Sequence, residues 1–530
     1  MRYTRCLSLI FSLFVAPILF AHTYKGELEV LVFDYFDKKT SKTIYKLHEA
    51  GEIYVLKLPQ SVDKSNLLHG SQVIVKGREI LSLQDKSIQV DTIVVNNKNV
   101  KVDKLNMTGT RNILALLVDF NNMRATDTVS IEDVDSILYT GVRSMLNNIQ
   151  QSSLGQLNFE RDSNKNGLPD IYVVNLNYDG FGCRQNDWAN HAKQAAVQMG
   201  IDLSIYQHIM YVLPQNVDCS WGGLANLGCR NSNCDSWVRA YDPSLVYSQL
   251  IYVHELGHNL GMGHSSKDIN NDDTNDEEYG DAACFMGVGD GKYLKELNAP
   301  HRDQLHWFDN LPDNMKIIEK NGEYVIHPLE SGINGMNKLI LKIRRNTTDT
   351  YYLSYRKDVG VFGFGAPDYL NKVSVHKRLG TFWNTYFIKA MDKDESFIDE
   401  ENNIYVKVLD TGGNTARVYV DMEANIPKLN LCIYSLTKSR LACYAEKGGL
   451  LNLGLAGTIY RKYTGENCAF NNLIYHIPGT YTLTDTMYAT QNNLSSKVIG
   501  CNVMLCNNQL CNDRTSTIQP IVYSSLGYGE

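Results

Sequence analysis

The rhythm of apolar and polar positions changes several times along the chain, and each change suggests a boundary. Residues 7–20 form a mainly apolar run behind Arg2 and Arg5, the make-up of a secretion signal with Ala21 as its cleavage residue. Residues 27–32 and 53–58 alternate or cluster β-forming side chains, and 70–77 adds a strand between two glycines. This predicts a β-rich domain over 22–107, accommodated by a small barrel of the oligonucleotide/oligosaccharide-binding (OB-like) type. From 109 the pattern becomes mixed. A buried strand at 109–120 precedes helical spacing over 134–151, which the Ser-Ser-Leu-Gly stretch 152–155 closes. Strands follow at 171–176, 208–213 and 237–241, with a helix at 188–199 and a small-residue stretch at 221–228. Over 311–425 short strands and glycine turns return, at 324–327, 339–343, 351–355, 405–408 and 416–420, which predicts a β-sandwich. The expected architecture is multidomain. A signal peptide (1–21) and a β-rich domain (22–107) precede an α+β domain with a twisted mixed sheet and an active-site helix (108–310). A β-sandwich (311–425) and a disulfide-rich tail (426–530) follow.

At 530 residues the chain is too long for a single core. Charged residues make up 21% and hydrophobic ones 43%, which excludes a disordered chain. The net charge of −7, without a long Lys/Arg run, weighs against nucleic acid or an anionic membrane as partner. The run 7–20 is short for a membrane span, and the polar end 524–530 carries no lipid-anchor signal. Secretion without a membrane anchor is the expectation, and twelve cysteines agree with an oxidising compartment. Cys6 leaves with the signal. Cys183, Cys219, Cys229, Cys234 and Cys284 fall in 108–310, an odd set that leaves one thiol free or paired elsewhere. Cys432, Cys443, Cys468, Cys501, Cys506 and Cys511 crowd the tail, where disulfides replace core. Sequons at Asn106, Asn346 and Asn493 make the chain a candidate glycoprotein.

Residues 254–264 read His-Glu-Leu-Gly-His-Asn-Leu-Gly-Met-Gly-His. On a helix His254 and His258 share a face, with Cβ atoms about 5–6 Å apart, so both rings reach one metal ion. Glu255 projects to the side of that pair, where it can hold the proton of a metal-bound water. Gly261 is the residue type that ends a helix in the left-handed region, and the turn brings back His264 as a third ligand. Three imidazoles and an open position make a catalytic zinc site rather than a structural one. The core His-Glu-x-x-His arises by chance in about one chain in a hundred of this length, and Gly261 with His264 lowers that by roughly three orders of magnitude.

The extended pattern is that of the metzincin metallopeptidases, which also carry a methionine-bearing turn beneath the metal. Met286, in the segment 279–287, is that methionine. More narrowly, the chain resembles the gametolysin (autolysin) family. The resemblance rests on Val253 to Met262, on Tyr279-Gly280-Asp281 before the methionine, and on Asn298-Ala299-Pro300-His301-Arg302 after it. Cys219-Ser220-Trp221 and the Tyr-Tyr-Leu-Ser-Tyr-Arg run at 351–356 also match, so the resemblance covers roughly 108–425. It implies a metzincin-like zinc endopeptidase with one catalytic Zn²⁺ on His254, His258 and His264, and Glu255 as general base. It implies an antiparallel strand at the sheet edge above the cleft, to which an extended substrate adds. Substrates would be extracellular matrix or cell-wall proteins, proline-rich glycoproteins being the best-known type. Two residues beyond the methionine stands Val288, so the tyrosine ligand of astacin-like and serralysin-like enzymes is not expected.

Three readings stay open. The segment 162–170 sets Asp162, Asn164, Asn166 and Asp170 around Gly167, which imitates the start of a calcium loop. A turn between strands explains it equally. The acidic loop 268–278 is a solvated charge run or a second cation site. Residues 22–107 precede the peptidase and hold no cysteine, so any latency of a zymogen uses steric cover or an oxygen or imidazole ligand. The candidates are Asp34, Asp37, Asp63, Asp85, Asp91, Asp103 and His69, with trimming expected near 101–111. The competing function is a secreted non-catalytic adhesion or glycan-binding protein on a relic peptidase fold.

Overall fold

The computed structural model describes residues 21–80, 86–96, 107–229, 233–287, 295–362, 367–380 and 382–423, with the backbone of five further strands between 428 and 520. The signal run, Val288, and the pairing of the tail cysteines lie outside the described residues.

Five strands form the N-terminal unit: β1 (His22–Tyr35), β2 (Thr40–Glu49), β3 (Glu52–Lys57), β4 (Ser71–Ile80) and β5 (Ser87–Val95). β1 pairs with β2 and β4, β3 joins β2 to β5, and β5 returns to β4, so the sheet closes on itself. Alternation along β4 sends Val73 and Val75 inward to meet Leu28, Val30, Leu47 and Ile88. The polar-looking stretch 40–49 was not among the expected strands; its inward residues are Tyr45 and Leu47, among lysines, threonines and a glutamate.

The second unit is a mixed sheet with helices on both faces. Its strands are β6 (Gly109–Asp119), β7 (Leu157–Glu160), β8 (Ile171–Asn175), β9 (His208–Leu213), β10 (Gly223–Asn226) and β11 (Cys234–Arg239). β7 and β8 flank one side of β6, then β9 and β11 continue in parallel, and β10 alone runs antiparallel. The run Ile113–Val118 is fully buried because both faces are covered. The helices are α1 (Ile131–Asp135), α2 (Met145–Ser152), α3 (Gln185–Gln198) and α4 (Val246–Asn259), followed by α5 (Ala299–Gln304). The helix expected over 134–151 is interrupted. A capping box between Ser130 and Asp133 starts it early, a wide turn over 136–140 stops at Gly141, and Ser144 caps a fresh helix. Disulfides join Cys183 to Cys219 and Cys229 to Cys234. The odd thiol is Cys284, buried and pushed up to about 12 by that burial.

A sandwich of two sheets follows. One runs β12 (Ser265–Lys267), β18 (Thr385–Met391), β17 (Lys372–Arg378), β16 (Thr350–Arg356), β15 (Ile340–Arg344), β13 (Met315–Ile318). The other runs β14 (Gly322–Ile326), β21 (Ala416–Asp421), β20 (Ile404–Asp410), β19 (Ser396–Asp399). Ile343, Leu353 and Val375 from the first meet Val406, Val408 and Val418 from the second. β12 directly follows His264 and pairs in parallel with β18, so the sandwich is built onto the segment 254–264 rather than tethered beside it. No helix among the described residues is long and apolar enough to cross a membrane.

Behind this junction lies a buried ionic cluster. Arg302 is wholly buried, donates from Nε to the Leu297 carbonyl at 2.9 Å and pairs with Glu296 at 2.6 Å. Burial pushes Glu296 up to about 7 even though Arg302 pulls it down. Removing one partner of such a pair strands the other charge. Arg302→Leu is therefore expected to cost about 3–5 kcal/mol in urea unfolding; a loss below about 1 kcal/mol would show that the pair is dispensable.

Candidate active site

Helix α4 is buried almost all round and packs against β10 and β11, so it is held as a core element rather than a surface one. Its end is a Schellman turn. Gly261 takes φ +94°, its N–H donates to the His258 carbonyl at 2.8 Å, and the Met262 N–H reaches Gly257 at 3.1 Å. The chain thereby doubles back and sets His264 beside His254 and His258, with ring centroids 4.9–5.4 Å apart.

Each imidazole is oriented through Nδ1. His254 Nδ1 donates to the Phe285 carbonyl at 2.9 Å and His258 Nδ1 to the Met262 carbonyl at 2.8 Å. His264 Nδ1 meets the Glu278 carboxylate at 2.8 Å. A carbonyl or carboxylate only accepts, so Nδ1 carries a proton in each ring and Nε2 is the nitrogen that would supply a lone pair to an ion. The three Nε2 atoms and the Asp34 carboxylate lie within 4.8 Å of one another, all buried. Neutral imidazoles backed in this way fit a divalent transition-metal ion, zinc included.

Asp34 comes from β1, 220 residues before the first histidine. Its Oδ2 lies 3.1 Å from His258 Nε2 and 3.6 Å from His254 Nε2, its Oδ1 2.9 Å from His264 Nε2. Tyr279 donates its hydroxyl to Oδ1 at 2.7 Å. Burial alone would raise Asp34, but His258 and His264 hold it well below the usual carboxylate range. Burial lowers His254 to about 4, whereas at His264 burial is outweighed by Asp34 and Glu278, and it rises to about 9. Burial, then the Asp34 charge, pushes Glu255 well up. The same two causes keep the Tyr279 phenol protonated.

Glu255 lies against Gly223, where any Cβ would overlap its carboxyl group. Met286 is buried under α4, and a Cβ at Gly257 would strike its sulfur. Asp281, from the Tyr-Gly-Asp run, accepts from Ser265 Oγ (2.7 Å) and Asn298 Nδ2 (3.1 Å) and faces His376 Nε2 (2.9 Å). Asn298 also reaches Thr385 Oγ1 and caps α5. These residues tie the methionine turn to β17 and β18.

The other candidates lie apart. Asp162, Asn164 and Asn166 share one turn, their oxygens accepting from the N–H groups of Asn166, Gly167 and Leu168. Asp170 turns inward to Tyr206 and the Ser163 N–H, both at 2.7 Å. An Asx turn and the opening of a calcium loop share these hydrogen bonds. If the loop binds an ion, millimolar calcium with zinc held fixed raises the melting temperature in a concentration-dependent way; an unchanged curve returns it to an ordinary turn. In the acidic loop, Lys377 pairs with Asp268 and Asp273 at 2.5 Å each, and Arg345 with Asp273 at 2.6 Å, so protein cations answer part of the charge run. Sequence reasoning gave no function to Tyr279, Glu278 or Gly223, although Tyr279 lay in the run that carried the resemblance.

The family described as gametolysin peptidase M11 matches residues 112–409. Autolysin of Chlamydomonas reinhardtii is 35% identical over 100 residues, 18% of this chain and 14% of its own length. The chain thus aligns with only a small part of that relative.

Proposed function

The chain belongs to the gametolysin peptidase family, and from that premise we propose a secreted zinc endopeptidase acting on extracellular matrix or cell-wall proteins. The observation that carries the metal is the convergence of three buried Nε2 atoms whose Nδ1 partners are all engaged. The ion, when bound, supplies Lewis acidity that acidifies water and polarises the scissile carbonyl. Glu255 takes the proton of the attacking water and passes it to the leaving amine. An extended substrate adds to β10, the antiparallel strand above the helix. Tyr279 offers a protonated hydroxyl on the metal-facing side, in position to hold the carbonyl oxygen as charge develops on it.

Secretion is supported by the apolar run 7–20 and the two disulfides. The name of the relative, autolysin, favours a wall-type substrate. The non-catalytic alternative predicts that the zinc-loaded chain leaves every protein substrate intact even after residues 22–107 are removed.

His264→Ala tests the metal. Elemental analysis should find about one zinc per wild-type chain and at least ~10-fold less in the variant, since even a ligand's supporting partner is worth 10–100-fold. Full occupancy would mean that another group holds the ion and that the site is not of this kind.

A further inference from the structure

The sheet edge that a substrate would use is occupied. Leu31, Val32, Phe33 and Asp34 of β1 pair antiparallel with Asn226, Ala225, Leu224 and Gly223 of β10. The Gly222 N–H donates to the Asp34 carbonyl at 2.7 Å, and the Leu227 N–H to the Val30 carbonyl at 3.0 Å. Leu31 and Phe33 sink into the peptidase core with Leu224 and Trp221, while Val30 and Val32 stay in the barrel core. Two residues past Asp34, Phe36 fills a pocket beside the first histidine. Its ring stands edge-on to His254 at 5.3 Å and to Tyr247 at 6.2 Å.

We propose that the N-terminal barrel is an internal inhibitor: β1 plugs the substrate edge while the Asp34 carboxylate fills the open position of the metal. This rests on the zinc-peptidase reading above. A carboxylate oxygen is an ordinary zinc ligand, and here it faces all three histidine nitrogens. β1 presents a side chain, not a peptide bond, to the metal set, because the Asp34 carbonyl is already bonded to Gly222. The inhibitor therefore sits in the cleft without offering itself for cleavage.

The barrel is gripped from three sides. Besides β10, Ser41 bonds Glu278 through Oγ (2.5 Å) and N–H (3.1 Å), and Glu278 in turn backs His264. Trp383 of the sandwich donates its indole N–H to the Ser65 carbonyl at 3.0 Å. Loss of the carboxylate alone thus uncovers the ion but leaves the strand in place. Activity calls for removal of the barrel. A cavity of about 340 Å³ lies beside His258 and His264, lined by Val32, Tyr45 and Trp383.

The test uses the full chain loaded with Co²⁺ or Zn²⁺. Asp34→Ala should alter the visible Co²⁺ spectrum and speed zinc loss to a chelator at least ~10-fold, by the scale of ligand-shell effects. Asp91→Ala, a barrel aspartate paired with Arg78, should do neither. Separately, limited proteolysis that removes the barrel, verified by mass spectrometry of the new N-terminus, should raise cleavage of a short fluorogenic peptide at least ~100-fold. A tethered inhibitor acts at an effective concentration of about millimolar. An unchanged Co²⁺ spectrum and chelation rate in Asp34→Ala would overturn the assignment of Asp34. Equal peptidase rates before and after trimming would overturn inhibition while leaving the peptidase reading intact. A trimmed, folded, zinc-loaded chain that cleaves nothing would sink the peptidase reading itself.

Discussion

Glu255→Gln is expected to lower kcat on a peptide substrate by about three orders of magnitude, within the range for losing a general acid–base group. Zinc content should not change. The three ligands are oriented by Phe285, Met262 and Glu278, none of which depends on Glu255. Stability should hold too. Burial already disfavours a carboxylate at this position, so a neutral amide of the same shape adds no desolvation cost. The measurement is kcat on the trimmed enzyme beside its zinc content and melting temperature. Near-normal turnover in a zinc-loaded variant would remove Glu255 from the mechanism; lost zinc would show that the substitution had damaged the site instead.

What was legible in the sequence was local. The helix and its turn, His254 to His264, are readable because a ligand spacing and a left-handed glycine lie within eleven residues. The methionine turn was readable from the extended pattern, and the odd cysteine set by counting. The polar partners were not legible, because they come from far away in the chain. Asp34 was one of seven candidate latency groups in its segment, and only the pairing of β1 with β10 singles it out. The break at 136–141 hid behind continuous helical spacing. Strand β17 was overlooked because Ser374, His376 and Lys377 are buried with Val373 and Val375. Their polarity, which disguises a strand in the sequence, is matched in space by Asp281 and Asp268. The two sheets of the sandwich could be expected from strand-and-turn rhythm, but not the addition of Ser265–Lys267 to one of them. Three residues carry no periodicity.

Gly223→Ala is expected to reduce kcat/KM about 100-fold without loss of zinc, although it adds one methyl group on a strand no catalytic residue belongs to. The reason is space. A Cβ at 223 would fall on the Glu255 carboxyl group, so either that side chain swings away or β10 withdraws. A displacement near 1 Å of a reacting group costs about 10²-fold. If Glu255 is the group displaced, the two substitutions share one effect, and effects of residues acting as a unit are far from additive. In the Glu255→Gln background the same glycine change should then cost only about a few-fold. An equal cost in both backgrounds would show that Gly223 acts by shaping the strand on which substrate lies, and KM rather than kcat would carry the loss. In the untrimmed chain the methyl group also falls opposite Asp34, the register partner of Gly223. The variant should therefore loosen the barrel's hold, and trimming by added protease should proceed faster than in the wild-type chain.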